Sequence, residues 1–176
     1  MLTKKILKSI LNVKHTAIDS MEILPDGSFA VMAHPTKGEQ CRCGKCGRKA
    51  AYYDKGRGSR SWRTCDWNNH KVYIVADAPR VCCPEHGVVT AAVPWARRGS
   101  RFTREFEALA AWLAMTCSKT AVAALLRISW NTVGPIISRM RSELDPNPSA
   151  RLENLSRIGV DETSYKKGHK YITIVI

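Results

Sequence analysis

A multi-domain α+β chain is the class this sequence predicts, on three observations. A CxxC at Cys43–Cys46 and a CxxH at Cys83–His86 bracket a stretch with strand patterning. From Arg101 the apolar period switches to helical spacing, and beyond residue 150 it returns to strands in "RIGVDE" and "YITIVI". The parts expected in order are a small β-rich metal-binding domain within 1–98, a three-helix helix-turn-helix over 99–144, a linker over 145–150 and a β-hairpin over 151–176.

The opening "MLTKKILKSILNVKH" predicts a short amphipathic helix with Ile6, Leu7, Ile10 and Leu11 on one face. It lacks the apolar core and small-residue cleavage site of a secretion signal, so a cytoplasmic start is expected. No stretch approaches the ~20 apolar residues of a membrane span, so no membrane partner is expected. Next, "ILPDGSFAV" predicts a hairpin turning at Asp26-Gly27.

Seven cysteines with no export signal favour metal ligation over disulfides. Zinc takes four soft or borderline donors in a tetrahedron, and two tight turns brought together by a small sheet supply them. Cys43, Cys46, Cys83 and His86 are the predicted ligands, with the strand "KVYIVADA" at 71–78 building the sheet between them. Four protein ligands leave no open position, so the zinc is structural. Cys41 and Cys82 adjoin the pairs as possible substitutes, while Cys65 and Cys117 read as core thiols. Residues 42–63 carry eight basic side chains, with Tyr52, Tyr53 and Trp62 among them as expected filling for a small core.

In the helical segment, Phe102, Phe106, Leu109, Ala110 and Leu113 recur at helical spacing behind a Thr103 cap, with Glu105 and Glu107 in the first turn. "SKTAVAALLRI" predicts a second helix capped by Ser118, with Val122, Leu125 and Leu126 inward. Ser129 then caps "WNTVGPIISRMRSEL", with Val133, Ile136, Ile137 and Met140 apolar. A short turn before the last helix is the helix-turn-helix arrangement, in which that helix enters the DNA major groove. Trp130, Asn131 and Thr132 are the predicted base readers, Asn131 having the donor and acceptor that adenine needs. Arg139 and Arg141 suit phosphates. Gly134-Pro135 predicts either a bend or a later start for this helix.

The charge agrees. Residues 1–40 and 143–176 together contribute one of the net +13 charges, and the rest lies between. So one-sided a balance attracts a polyanion, here double-stranded DNA.

The order of these parts, with "VPWARRGSRFT", the "SWNTV" turn and "GVDETSYKKGHKYITIVI", resembles the ISL-type family of bacterial insertion-sequence transposases, DDE enzymes. The resemblance implies a DNA-binding portion that recognises the terminal inverted repeats of its element, in a nucleoid-associated setting. It also implies that residues 151–176 are the first β-hairpin of a truncated ribonuclease-H-like catalytic domain, with Asp161 matching the first aspartate of the triad. Two magnesium ions about 3.5–4 Å apart clamp the reacting oxygens in such chemistry, so Mg²⁺ is expected only for a complete domain. One aspartate cannot build that site, and the chain by itself is expected to be inactive. Its unsupported hairpin, with Ile158 and Val160 partly exposed, is expected to be its least stable part. A homo-oligomer or a full-length transposase is a further expected partner. Other readings of the same residues are a non-catalytic helix-turn-helix repressor and a zinc-stabilised module for protein contacts.

Overall fold

The computed structural model describes residues 2–147, 149–150, 153, 159–166 and 170–175. It divides into two compact units, Met1–Met140 and Arg141–Ile176. In chain order the first elements are α1 (Leu2–Leu11), β1 (Thr16–Ile23) and β2 (Phe29–Pro35). β3 (Ala51–Asp54), β4 (Ser59–Trp67), β5 (His70–Asp77), β6 (Arg80–Cys83) and β7 (Gly87–Thr90) follow, then α2 (Arg104–Thr116), α3 (Lys119–Leu125) and α4 (Trp130–Leu144). The last pair is β8 (Val160–Lys166) and β9 (Lys170–Val175).

The strands of the first unit make two sheets. One has the order β1-β2-β5-β4 and is antiparallel except for the parallel β2–β5 pair. The hairpin at Asp26-Gly27 forms: Gly27 takes φ +78°, and Asp26 Oδ1 accepts from both the N–H and the hydroxyl of Ser28. Those bonds hold the Asp26 carboxyl below its usual range. On β5 burial alternates, so Val72, Ile74 and Ala76 face the core. Trp62 meets Trp95 edge to face there, at 5.6 Å between ring centroids. α1 contributes Leu7 and Leu11 to this core, whereas Ile6 and Ile10 are half exposed, so the helix buries a narrower stripe than its sequence suggests.

The second sheet, β3-β6-β7, carries the cysteine turns. This corrects the expected role of the 71–78 strand, which as β5 lies inside the four-stranded sheet. Tyr52 and Tyr53 on β3 are exposed and do not fill a small core, unlike Trp62. The zinc sheet is too small to cover them.

α2, α3 and α4 enclose a separate core of Phe106, Ala110, Val122, Ala123, Leu126, Val133 and Ile136. Thr103 and Ser118 cap α2 and α3, their side-chain oxygens accepting from Phe106 N and Ala121 N. Cys65 and Cys117 pack against this core. Leu125 is exposed because α3 has only two turns, and Val122 and Leu126 already occupy its inner face. α4 begins at Trp130 directly after Ser129, whose carbonyl accepts from Thr132 N, and it continues through Pro135. A later start is thereby excluded. The axes of α3 and α4 differ by 102°, the crossing of a helix-turn-helix.

Arg63 of β4 joins the sheet to these helices. It is 6% exposed, and its guanidinium donates to the carbonyls of Leu126 and Arg127 and to both oxygens of Asp66. The two carbonyls lie at the C-terminal end of α3, where backbone acceptors lack intrahelical partners and a cation is favoured. Arg127 itself has φ +52°. Glycine is usual in that conformation; here Asp66 and the Asn69 carbonyl hold the arginine in place.

In the second unit β8 and β9 pair antiparallel, Asp161 opposite Ile174 and Val160 opposite Val175. Val160 is exposed as expected. Ile158 and parts of the expected linker and first strand, Pro148 and Arg157 among them, lie outside the described residues. Among the described residues no single helix is long and apolar enough to cross a membrane.

Arg63→Met is expected to cost about 3 kcal/mol, because it leaves two backbone carbonyls and one Asp66 oxygen without their donor at a largely buried joint. Arg63→Lys should recover little of this, since an ammonium cannot span the same four acceptors. Chemical denaturation of both variants checks it, and wild-type stability in Arg63→Met would refute the role of the joint.

Candidate metal centre and nucleic-acid interface

The CxxC knuckle is a tight loop. Cys43 N donates to the Arg48 carbonyl at 2.8 Å, Gly47 N donates to the Cys43 carbonyl at 2.8 Å, and Gly47 takes φ +72°. Gly44 is required by proximity: a Cβ there would lie 2.4 Å from the Thr90 carbonyl oxygen. The CxxH turn lies between β6 and β7, with Cys83 opposite Gly87 across the hairpin. A bridge between Cys43 and Ala91 ties the knuckle to the chain just beyond β7.

The donor atoms of Cys43, Cys46, Cys83 and His86 all lie within 4.8 Å of one another. Cys46 Sγ is 3.8 Å from Cys83 Sγ, and His86 Nδ1 is 3.6 Å from Cys83 Sγ and 3.8 Å from Cys43 Sγ. Zinc–sulfur bonds of about 2.3 Å and zinc–nitrogen bonds of about 2.0 Å set tetrahedral edges of about 3.5–3.8 Å. These three edges match, and the donor set suits Zn²⁺. Lys45 N donates to Cys43 Sγ at 3.4 Å. The Arg48 side chain and backbone N–H beside Cys46 lower its thiol to about 6, while burial pushes the Cys83 thiol up. Glu85 pairs with Arg48 and lies 3.7 Å from His86 Nδ1. Cys41 and Cys82 stay outside the cluster: Cys82 is exposed on β6, and Cys41 adopts φ +55° with its carbonyl accepting from Ala50 N.

In the helical module, Asn131 is exposed on the first turn of α4 and Thr132 is half-buried beside it. Trp130 is also exposed, but the Lys119 ammonium sits 3.3 Å from its ring centroid. That cation–π contact covers one ring face and staples the start of α3 to the start of α4. Pro135 has no N–H to give the Asn131 carbonyl, which leaves a backbone acceptor at the tip of the helix.

Arg139 has another duty than the one its position suggests. It binds Glu107 Oε1 at 2.6 Å, and Glu107 is fully buried. Arg97 pairs with Glu107 Oε2 at 3.2 Å, and the Ser100 hydroxyl donates to Oε1 at 2.7 Å. A buried carboxylate needs such partners to offset its lost hydration. Glu107 therefore ties α4 to α2 and to the segment before it. Arg141 is exposed. Asp161 lies on β8, opposite Ile174 of β9.

Sequence reasoning passed over Glu107 as a site residue because a first-turn glutamate has an ordinary helical explanation. Arg97, Arg98, Arg101 and Arg104 lie close together in the sequence, but such spacing does not reveal which surface they line.

A profile of the zinc-finger of transposase IS204/IS1001/IS1096/IS1165 matches residues 39–86, a span that contains all four donors. A profile of the helix-turn-helix domain of transposase family ISL3 matches residues 91–140. The transposase for insertion sequence element IS1557 of Mycobacterium tuberculosis, in strains CDC 1551 / Oshkosh and ATCC 25618 / H37Rv, is 43% identical over 178 residues. The match covers 98% of this chain and 40% of the relative, so the chain spans less than half the length of the curated relatives it matches. No solved structure matches.

Metal analysis under reducing conditions should find one zinc per chain, and less than half an equivalent would refute the site. Cys43→Ser should abolish retention and Cys41→Ser should leave it unchanged. Chelation should unfold the β3-β6-β7 region, since binding free energy at such sites is folding free energy.

Proposed function

Because the chain carries the zinc-finger and helix-turn-helix domains of ISL3-family transposases and is their homologue, we propose that it is the portion of an insertion-sequence transposase that binds its element's terminal inverted repeats as double-stranded DNA. The observation that carries this reading is the α3–α4 pair, crossing at 102° with Asn131 exposed at the N-terminal turn of α4. That turn is the part of a recognition helix that reaches base edges. Asn131 is the adenine reader by chemistry, with Thr132 beside it. Trp130 contributes its edge or its other face, since Lys119 covers one face of the ring. Arg141 serves a phosphate, and Arg139 orients α4 through Glu107.

Zinc has a structural role in this reading. Cys43, Cys46, Cys83 and His86 hold it closed, and it supplies a rigid crosslink rather than an activated water. Asp161 is the first carboxylate of a DDE site, carried on the first strand of a ribonuclease-H-like sheet. Its metal chemistry requires two further carboxylates and Mg²⁺.

The test is binding to duplexes that carry the element's ends against unrelated duplexes of equal length. Asn131→Ala is expected to lower affinity for the ends by about 1–3 kcal/mol and to shrink the preference. Arg141→Ala should weaken both duplexes alike and flatten the salt dependence by about one unit of slope. An unchanged preference in Asn131→Ala would remove α4 from the role of reader.

A further inference from the structure

Two clefts in the first unit share Arg60, Arg80 and Thr90 in their walls. The first, of about 600 Å³, lies between the zinc knuckle and residues 97–104, and its cations are Lys45, Arg60, Arg80, Arg97, Arg98 and Arg104. The second, of about 900 Å³, adds Arg57 and Arg101. Among the described residues no carboxylate lines either cleft, although the chain contains 15 acidic residues. Cations crowded into a concave surface repel one another, and low-dielectric walls concentrate their field.

Several of these groups are held in place from behind. Arg60 lies over the Trp62 ring at 5.2 Å, and Arg80 lies over Tyr53 at 5.3 Å while pairing with Asp54. Arg97 is anchored by Glu107. Arg57, Arg98 and Arg101 are exposed and make no side-chain ion pair among the described residues. The clefts thus combine fixed guanidinium groups with free ones, over a span too large and too uniformly cationic for one small anion. A run of phosphates fits it.

We propose that this double cleft is a second DNA-contact surface, which grips the duplex backbone outside the base pairs read from α4. The proposal rests on the reading that the chain binds duplex DNA. Phosphate contacts of this kind fix position and carry no sequence information. They are also coupled to the reader, because Glu107 binds Arg97 of the cleft and Arg139 of α4 at once. The carboxylate therefore sets the spacing between backbone grip and recognition helix.

The full chain and its Arg57→Ala/Arg98→Ala/Arg101→Ala variant are titrated with element-end and unrelated duplexes across a salt series. The expected result is a log-affinity against log-salt slope shallower by about 2–3, at about 0.9 per lost phosphate contact. Affinity should fall at least about tenfold on both duplexes, with their ratio preserved and the footprint shortened. Zinc content and thermal midpoint should match the wild type, since all three side chains are exposed. If slope and affinity stay at wild-type values while Asn131→Ala still changes the ratio, the cleft is not a DNA surface and the recognition helix stands. If the wild type binds no duplex at any salt, the cleft and the reading beneath it fall together.

Discussion

The fold of the first unit depends on one buried cation. Arg63 leaves β4 and ends among the carbonyls that close α3, so a sheet residue completes the turn of the helical module. Its charge is balanced by Asp66 three residues along the same strand, and Asp66 also holds Arg127 in its left-handed turn conformation. The guanidinium packs over the Phe106 ring at 5.5 Å, against the second core. In this dry setting the hydrogen bonds are costly to leave unmade. The consequence is positional: the α3–α4 turn is fixed relative to the sheet, and so is the first turn of α4.

A second buried group does for the far side of the module what Arg63 does for the turn. Glu107 is acidic in a strongly basic chain, fully buried, and satisfied by two arginines and a serine. The two networks use opposite charges to the same end. Each spends a charged side chain inside the protein so that others face outward in a set geometry. The basic residues divide accordingly. Arg42 and Arg48 are paired with Glu39 and Glu85 around the knuckle, Arg63 is inside, Arg139 is half-buried against Glu107, and Arg57, Arg98 and Arg101 remain for solvent or a polyanion.

The zinc sheet illustrates how a short element is made sufficient. β3, β6 and β7 have four residues each, too little apolar surface for independent stability. The four converging donors between the knuckle and the β6–β7 turn would, with a metal bound, replace the missing core. Hydrophobic burial is then not required of Tyr52 and Tyr53, which explains their exposure.

Local chemistry was legible in the sequence. Spacing alone picked out four residues whose donor atoms converge in the fold, because a CxxC and a CxxH can each present two donors from one turn. Caps at Thr103 and Ser118, the Asp26-Gly27 hairpin and the alternation of β5 were legible for the same reason: each is settled within a few residues. Pairing was not. Nothing local says that β5 lies parallel to β2 and leaves the cysteine turns to another sheet, or that Ile6 and Ile10 remain exposed. The fates of the arginines were equally hidden, since Arg63, Arg139 and Arg57 look alike in sequence and differ only in what the folded chain brings within reach. The sequence by itself determined the order of the parts, the candidate metal donors and the sign of the field. Tertiary structure decided which charges are buried and which are offered, because burial and ion pairing depend on distances between residues far apart in the chain.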